Sequence, residues 1–192
     1  MKKSIEDFKA VLSTGGVRPT MYEVLLTLPN FEIITNSEFL YGEESRALPM
    51  LCKSSSIPSA VNTTVTVGLP AGANLKLPGS RLYEPWDMTI INDGDMRLRN
   101  MFERWMEAII RPDNQLSVQR LSDYHGTAQV RQLDRQGNVI RLYTLYNCFP
   151  TNIDAQQLAF DADGVTEFTV TMNYHYHEAR TPELGDLFAE VF

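Results

Sequence analysis

The chain has 192 residues, 43% of them hydrophobic and 21% charged, which is enough for a single domain with a real core. Its 24 acidic and 17 basic side chains leave a net charge of −7, which excludes a nucleic-acid binder that grips phosphate through Lys and Arg, though not one that lets nucleic acid slide past. No apolar run approaches the roughly 18 residues needed to cross a bilayer, and MKKSIEDFKAVL has no apolar signal core, so the chain is expected to stay in the cytoplasm where it is made.

Ser4 to Leu12 predicts a short helix, with Ser4 as cap, Asp7 three residues on, and Ile5, Phe8, Val11 and Leu12 on one face. So short a helix is marginal alone and needs a partner surface, on its own barrel or on a neighbouring subunit. Ser13 to Pro19 is a flexible connector by composition. Tyr22 to Leu28 alternates as a strand, with Tyr22, Val24, Leu26 and Leu28 to one side. Asn36 to Arg46 is expected to be a long acidic loop. Its Phe39, Leu40 and Tyr41 are either an interaction element between subunits or a patch folded back on the barrel.

Leu48 to Ser54 and Val61 to Leu69 are the next strand candidates. In the second, Val61, Thr63, Val65 and Val67 are expected to be buried, and Asn62, Thr64 and Thr66 to be wet. Pro70 to Gly79 reads as turn with a short extended piece at Asn74 to Leu77, and Trp86 to Ile91 as a strand.

That strand feeds the one strongly amphipathic helix. Leu98, Met101, Phe102, Trp105, Met106, Ile109 and Ile110 fall at helical spacing, with Arg97, Glu103, Arg104 and Glu107 opposite. Asp93 or Asp95 can cap its start, and Pro112 ends it. Asn114 to Tyr124 is irregular. Ala128 to Leu133 and Val139 to Phe149 predict a hairpin whose turn takes its left-handed residue from Gly137, with Pro150 as its stop. A last strand is expected over Val165 to His177. There Phe168, Val170, Met172, Tyr174 and Tyr176 face inward, while Glu167, Thr169, Thr171, Asn173, His175 and His177 face water. The tail from Glu178 is acidic, with apolar residues at loosely helical spacing. The whole reads as a mainly β fold, a barrel or sandwich of antiparallel strands with one flanking α-helix.

Catalytic patterns fail one by one. His175 and His177 share a strand face, but His125 is the only other histidine, and neither Cys52 nor Cys148 has a C-x-x-C partner, so no metal or other cofactor is expected. The two cysteines are buried thiols, or a disulfide if their Cα atoms lie within about 7 Å. Asp93-Gly94-Asp95 and Asp161-Ala162-Asp163-Gly164 look like pieces of calcium loops, but the twelfth positions are Arg104 and Met172, not glutamate. There is no G-x-S-x-G, Walker loop or dinucleotide fingerprint. Nothing singles out two of the 24 acids as a catalytic pair, so an enzyme is not expected.

Tyr83, Trp86-Asp87-Met88-Thr89, Asn92-Asp93, Met96-Arg97, Arg99 and Phe102-Glu103-Arg104-Trp105-Met106 together resemble the signature of the tail tube proteins of contractile-tailed bacteriophages. Three further segments are similar to that family: Gly15 to Pro19 with Tyr22-Glu23-Val24, Cys52-Lys53-Ser54 with Ile57-Pro58, and Tyr146 to Thr151 with Phe168 to Tyr174. The resemblance implies one tube domain over 1–192, with an arm at 1–19 and a tail at 178–192. It implies hexameric rings stacked inside a sheath, with sheath, baseplate and terminator proteins as partners and double-stranded DNA passing through the bore without specific binding. The fold would be shared with the type VI secretion tube protein, and the location would be the virion, after assembly in the host cytoplasm. On that basis Phe39, Leu40 and Tyr41 are expected at a subunit interface, and Asn62, Thr64, Thr66, Thr169 and Thr171 along the bore. A baseplate tube-initiator or tube-end protein of the same fold is the alternative, and a β-sandwich hydrolase the less favoured one.

Overall fold

The computed structural model describes residues 4–12, 16–29, 41–69, 72–111, 123–159 and 164–181. The expected irregular stretch before Tyr124, the turn at Asp161–Asp163 and the tail beyond Thr181 lie almost wholly outside them, as do Phe39, Leu40 and the side chain of Tyr41.

Among the described residues one antiparallel sheet folds over on itself, and its two halves share a long strand. In the first half β1 (Tyr22–Thr27) pairs with β6 (Gly126–Leu133), and β6 with the start of β7 (Val139–Ile153), whose other edge takes β9 (Tyr176–Arg180). In the second half the end of β7 pairs with β8 (Glu167–Asn173), β8 with β5 (Trp86–Ile91), and β5 with β2 (Cys52–Ser55). The chain crosses between halves at Asn147, which sits at φ 57° as the extra residue opposite the Gly126–Thr127 step. Asparagine tolerates this left-handed conformation better than most residues.

Among the described residues three helices accompany the sheet: α1 (Ile5–Val11), α2 (Tyr41–Leu51) and α3 (Arg97–Ile109). The inner faces of both sheet halves and the apolar stripe of α3 meet in a single core. Trp86, Met88 and Ile90 enter it from β5, Phe168, Val170 and Met172 from β8, and Val24 and Leu26 from β1. From α3 come Leu98, Met101, Phe102, Trp105 and Ala108. Trp105 is fully buried, stacks on Phe102 and donates its indole N–H to the Tyr124 carbonyl at 2.9 Å. Gly126 makes room for it: a Cβ there would lie 2.9 Å from the indole and 2.6 Å from the Thr27 carbonyl oxygen.

Several local expectations hold for visible reasons. Ser4 and Asp7 form a reciprocal capping box on α1. The N-cap of α3 is Met96, at φ 50° and without a side-chain cap bond; Asp93, not Asp95, meets the helix start, its Oδ1 accepting the Arg97 backbone N–H at 2.9 Å and its Oδ2 the Arg97 side chain at 2.7 Å. Burial opposes ionisation of Asp93, but these bonds from Arg97 outweigh it and hold the carboxyl below its usual range. In the β6–β7 turn Asp134 accepts the N–H groups of Gln136 and Asn138, and Gly137 takes φ 88°.

Other expectations are corrected. The Tyr41–Arg46 part of the expected acidic loop and the start of the strand from Leu48 give way to α2, which runs from Tyr41 to Leu51 and leaves Cys52–Ser55 as strand, while Asn36–Leu40 lie outside the described residues. Gly42 and Pro49 disfavour a helix locally, but Leu48 is fully buried against the core, and tertiary packing overrides propensity. Pro150 does not stop β7, because beyond Cys148 only β8 pairs with that strand and an edge tolerates a missing N–H. The last strand is two strands: the chain turns at Tyr174–His175 and joins the other half as β9. The turn inverts the expected faces, leaving Tyr176 exposed and His177 partly buried. Ile110 leaves the core face as well, being already extended at φ −134°.

Candidate assembly surfaces

The largest departure from expectation is β3 (Ala60–Gly68) with β4 (Asn74–Tyr83). Among the described residues these pair only with each other, as a separate two-stranded ribbon, and β4 occupies the stretch that reads as a turn. Gly79 and Ser80 together face Thr63 as a bulge; a Cβ on Gly79 would lie 2.5 Å from the Thr63 hydroxyl. The bulge brings Leu82 opposite Val61 and Leu77 opposite Val65, so one face of the ribbon is aliphatic along its length. That face was expected to be buried. In the single chain Val61, Val65, Val67, Leu75, Leu77 and Leu82 are instead 41% to 54% exposed.

The base of the ribbon is clamped to the sheet. Trp86 Nε1 donates to Ser56 O at 2.8 Å and Tyr174 OH to Ser59 O at 3.1 Å, fixing the segment from which β3 leaves. Tyr83, at the end of β4, packs on Tyr174 and His177. The ribbon is thus held in position at one end. A second apolar face without a partner among the described residues is on α1, where Ile5, Phe8 and Leu12 are exposed.

The expected bore residues fall on two separate surfaces. Asn62, Thr64 and Thr66 lie on the other face of the ribbon, where their pairing partners are Arg81, Pro78 and Lys76. Arg81 donates to Asn62 Oδ1 at 2.9 Å. Thr169 and Thr171 lie on the outward face of β8, between Glu167 and Asn173. Thr89 and Asp87 of β5 stand opposite those two threonines, and Asn152 of β7 flanks Thr171. This second surface is a wall of hydroxyl, amide and carboxylate groups. Sequence reading found its β8 row from alternation, but the β5 row needed the register.

No catalytic arrangement accompanies these surfaces. Among the described residues no three His, Cys, Asp or Glu side chains come together as a metal site. His125 and His175 meet edge to face at 4.9 Å beside Phe149, while His177 sits apart among Tyr83, Tyr143 and Tyr174. The expected shared face of His175 and His177 is therefore lost in the turn between strands. Cys52 and Cys148 are separate buried thiols, pushed by burial up to about 11 and about 12, far from reactive thiolates.

The sequence profile of the phage tail tube protein family matches residues 17–180. The chain belongs to that family. It is 24% identical to the tail tube protein of Serratia phage KSP90 over 174 residues, which cover 89% of this chain and 94% of that one. It is 25% identical to tail tube protein gp19 of Enterobacteria phage T4 over 129 residues, 66% of this chain and 78% of the other. Two solved structures share its fold at lower identity. A chain from the anti-feeding prophage tube-terminating cap superposes with a TM-score of 0.63 at 14% identity, over 87% of this chain and 92% of that one. A chain from the sheath–tube complex of an extracellular contractile injection system, PVC, gives 0.57 at 12%, over 94% and 100%. Family membership makes the protein a structural subunit of the tail tube in the virion and not a catalyst.

Proposed function

We propose that the protein is the main tail tube subunit and that six copies close into a ring, with rings stacking into the conduit for viral double-stranded DNA. The observation that carries this reading is the aliphatic face of the β3–β4 ribbon, clamped at its base and uncovered by the described residues of its own chain. A contiguous exposed patch of this kind marks an interaction site. A ring of identical subunits covers it with a second copy, through a head-to-tail contact that closes. The segment Phe39 to Tyr41 is assigned to the same ring contacts. Rings assemble in the host cytoplasm and take sheath, baseplate and terminator proteins as further partners. One structural neighbour with the same fold comes from an anti-feeding prophage baseplate described as six-fold symmetrised, which supports the ring order.

The bore reading favours the outward face of β8. Duplex DNA carries one negative charge per roughly 1.7 Å of axis, so a wall of exposed cations would hold it at many points. The polar face of the ribbon brings Lys76 and Arg81 beside Thr66 and Asn62, whereas the β8 wall is hydroxyl, amide and acid, with a single lysine, Lys53, bonded to Glu167. Screening over about 8 Å at physiological ionic strength leaves wall residues in control, not the net charge of the outer surface. The proposed bore residues are therefore Thr169 and Thr171 first. Asn62, Thr64 and Thr66 are the second choice.

Electron microscopy of the purified protein tests the assembly. Six-fold rings or hollow tubes are expected; a persistent monomer at high concentration overturns the reading. A tube-end or baseplate role is the second reading, because the cap and baseplate structures share this fold. Copy number in virions separates the two, since a tube subunit is among the most abundant virion proteins and an end protein contributes a single ring.

A further inference from the structure

The wall proposed to face DNA does contain one cation. Within the strand residues of β2, β5, β8 and the end of β7, Lys53 is the only lysine or arginine. Its side chain leaves β2, crosses over β5 and ends on Glu167 at the start of β8. Nζ donates to both carboxylate oxygens, at 2.7 Å to Oε2 and 2.6 Å to Oε1. Both side chains reach solvent, being 54% and 35% exposed.

An ion pair this exposed adds little to stability. Its effect lies in the field it leaves behind. The grip occupies two of the three ammonium donors and sets a full negative charge against a full positive one. Glu167 is also the acid placed to do this. Asp87 is four positions along β5 from Ile91, the residue opposite Glu167, or roughly 13 Å at about 3.3 Å per residue, and Asp154 lies on the far side of β8, bonded to Asn152 of β7.

We infer that Glu167 masks Lys53, keeping its ammonium group from bonding the phosphates of the duplex in the bore. The inference rests on the reading that this face lines the bore. In a hexameric tube an unmasked Lys53 would present six ammonium groups in every ring. Contacts repeated ring after ring would add up along the tube, so that a single lost carboxylate would turn a sliding wall into a holding one.

The experiment uses assembled tubes, a short DNA duplex at low salt, and nuclease digestion of whatever lies outside the bore. Glu167→Gln and Glu167→Ala tubes are expected to retain at least about tenfold more protected duplex than native tubes, with retention falling on a log–log salt plot by about 0.9 per phosphate contacted. The double variant Lys53→Gln/Glu167→Gln is expected to return to the native level. Thr169→Lys tubes serve as the control for the face itself. If Thr169→Lys retains protected duplex and neither Glu167 variant does, the mask is wrong and the bore reading stands. If the double variant holds as much duplex as Glu167→Gln, Lys53 is not the unmasked group and the inference falls. If Thr169→Lys gains nothing, or its bound duplex is digested, the face lies outside the bore and both readings fall together.

Discussion

Strands β5 and β3 carry the same kind of alternation and meet opposite fates. In β5 Trp86, Met88 and Ile90 are essentially without exposure; in β3 Val61, Val65 and Val67 stand about half in water. The difference lies in neighbours and not in pattern. β5 is flanked by β2 and β8 and its inner row lies in the core, whereas among the described residues β3 pairs only with β4. Period-two alternation says that a face will be covered. It does not say whether the covering atoms belong to the same chain. Among the described residues the sandwich covers its own inner faces, and the ribbon does not.

Four substitutions or titrations can break that contrast. The largest effect is expected at Trp105, fully buried between α3 and the sheet. Trp105→Ala should cost about 3–5 kcal/mol in the dissociated subunit, read by denaturant titration. An unchanged midpoint would place the ring outside the core. Next is Gly126→Ala, whose new methyl meets the Thr27 carbonyl and the Trp105 indole. Overpacking of this kind should cost about 1–3 kcal/mol. A neutral result would mean that the first half of the sheet gives way easily.

A smaller effect concerns the joint between sandwich and ribbon. His177 packs there on Tyr83, Tyr143 and Tyr174 and faces Arg81. Burial first, and then the Arg81 charge, lowers its pKa from the usual 6.5. His125 is lowered too, by burial and then by His175. Each folded site binds fewer protons than its unfolded counterpart, so the stability it contributes is full above 6.5 and declines as pH falls through that value. Thermal midpoints should drop between pH 7.5 and 5.5, and His177→Gln should blunt the drop, leaving the share due to His125. A flat profile in the native protein would refute the assignment.

The smallest effect on the subunit, and the sharpest on the tube, is expected for Leu77→Gln on the ribbon face. Subunit stability should stay within about 0.5 kcal/mol, as for other surface changes. Tube yield by sedimentation should collapse. Loss of subunit stability would mean that the ribbon face is covered within the chain, and full tube yield would mean that no neighbour uses it.

What was legible in the sequence follows the same division. Elements stabilised by their own residues or by a covered face were readable: the α1 capping box, the Asp134–Gly137 turn, the α3 stripe, and the inward rows of β1, β5 and β8. Elements that depend on distant partners were not. α2 forms despite Gly42 and Pro49 because Leu48 has a core to enter. β4 hid behind Pro78 and Gly79, which mark a bulge instead of a turn, since Thr63 stands across from it. The split of β8 from β9 at His175 gives no signal in the alternation, which continues through a change of sheet. Of the candidate surfaces, the threonine row of β8 was visible, while the Lys53–Glu167 bridge joins residues 114 positions apart and needed the register of three strands.

One strand, β7, runs unbroken through both halves of the sheet, turning at Asn147. Load entering one half of this subunit reaches the other along peptide bonds, without crossing a slip plane of packed side chains. The link between the two halves is therefore covalent, whereas among the described residues the ribbon beyond its clamped base pairs with no strand of the sheet.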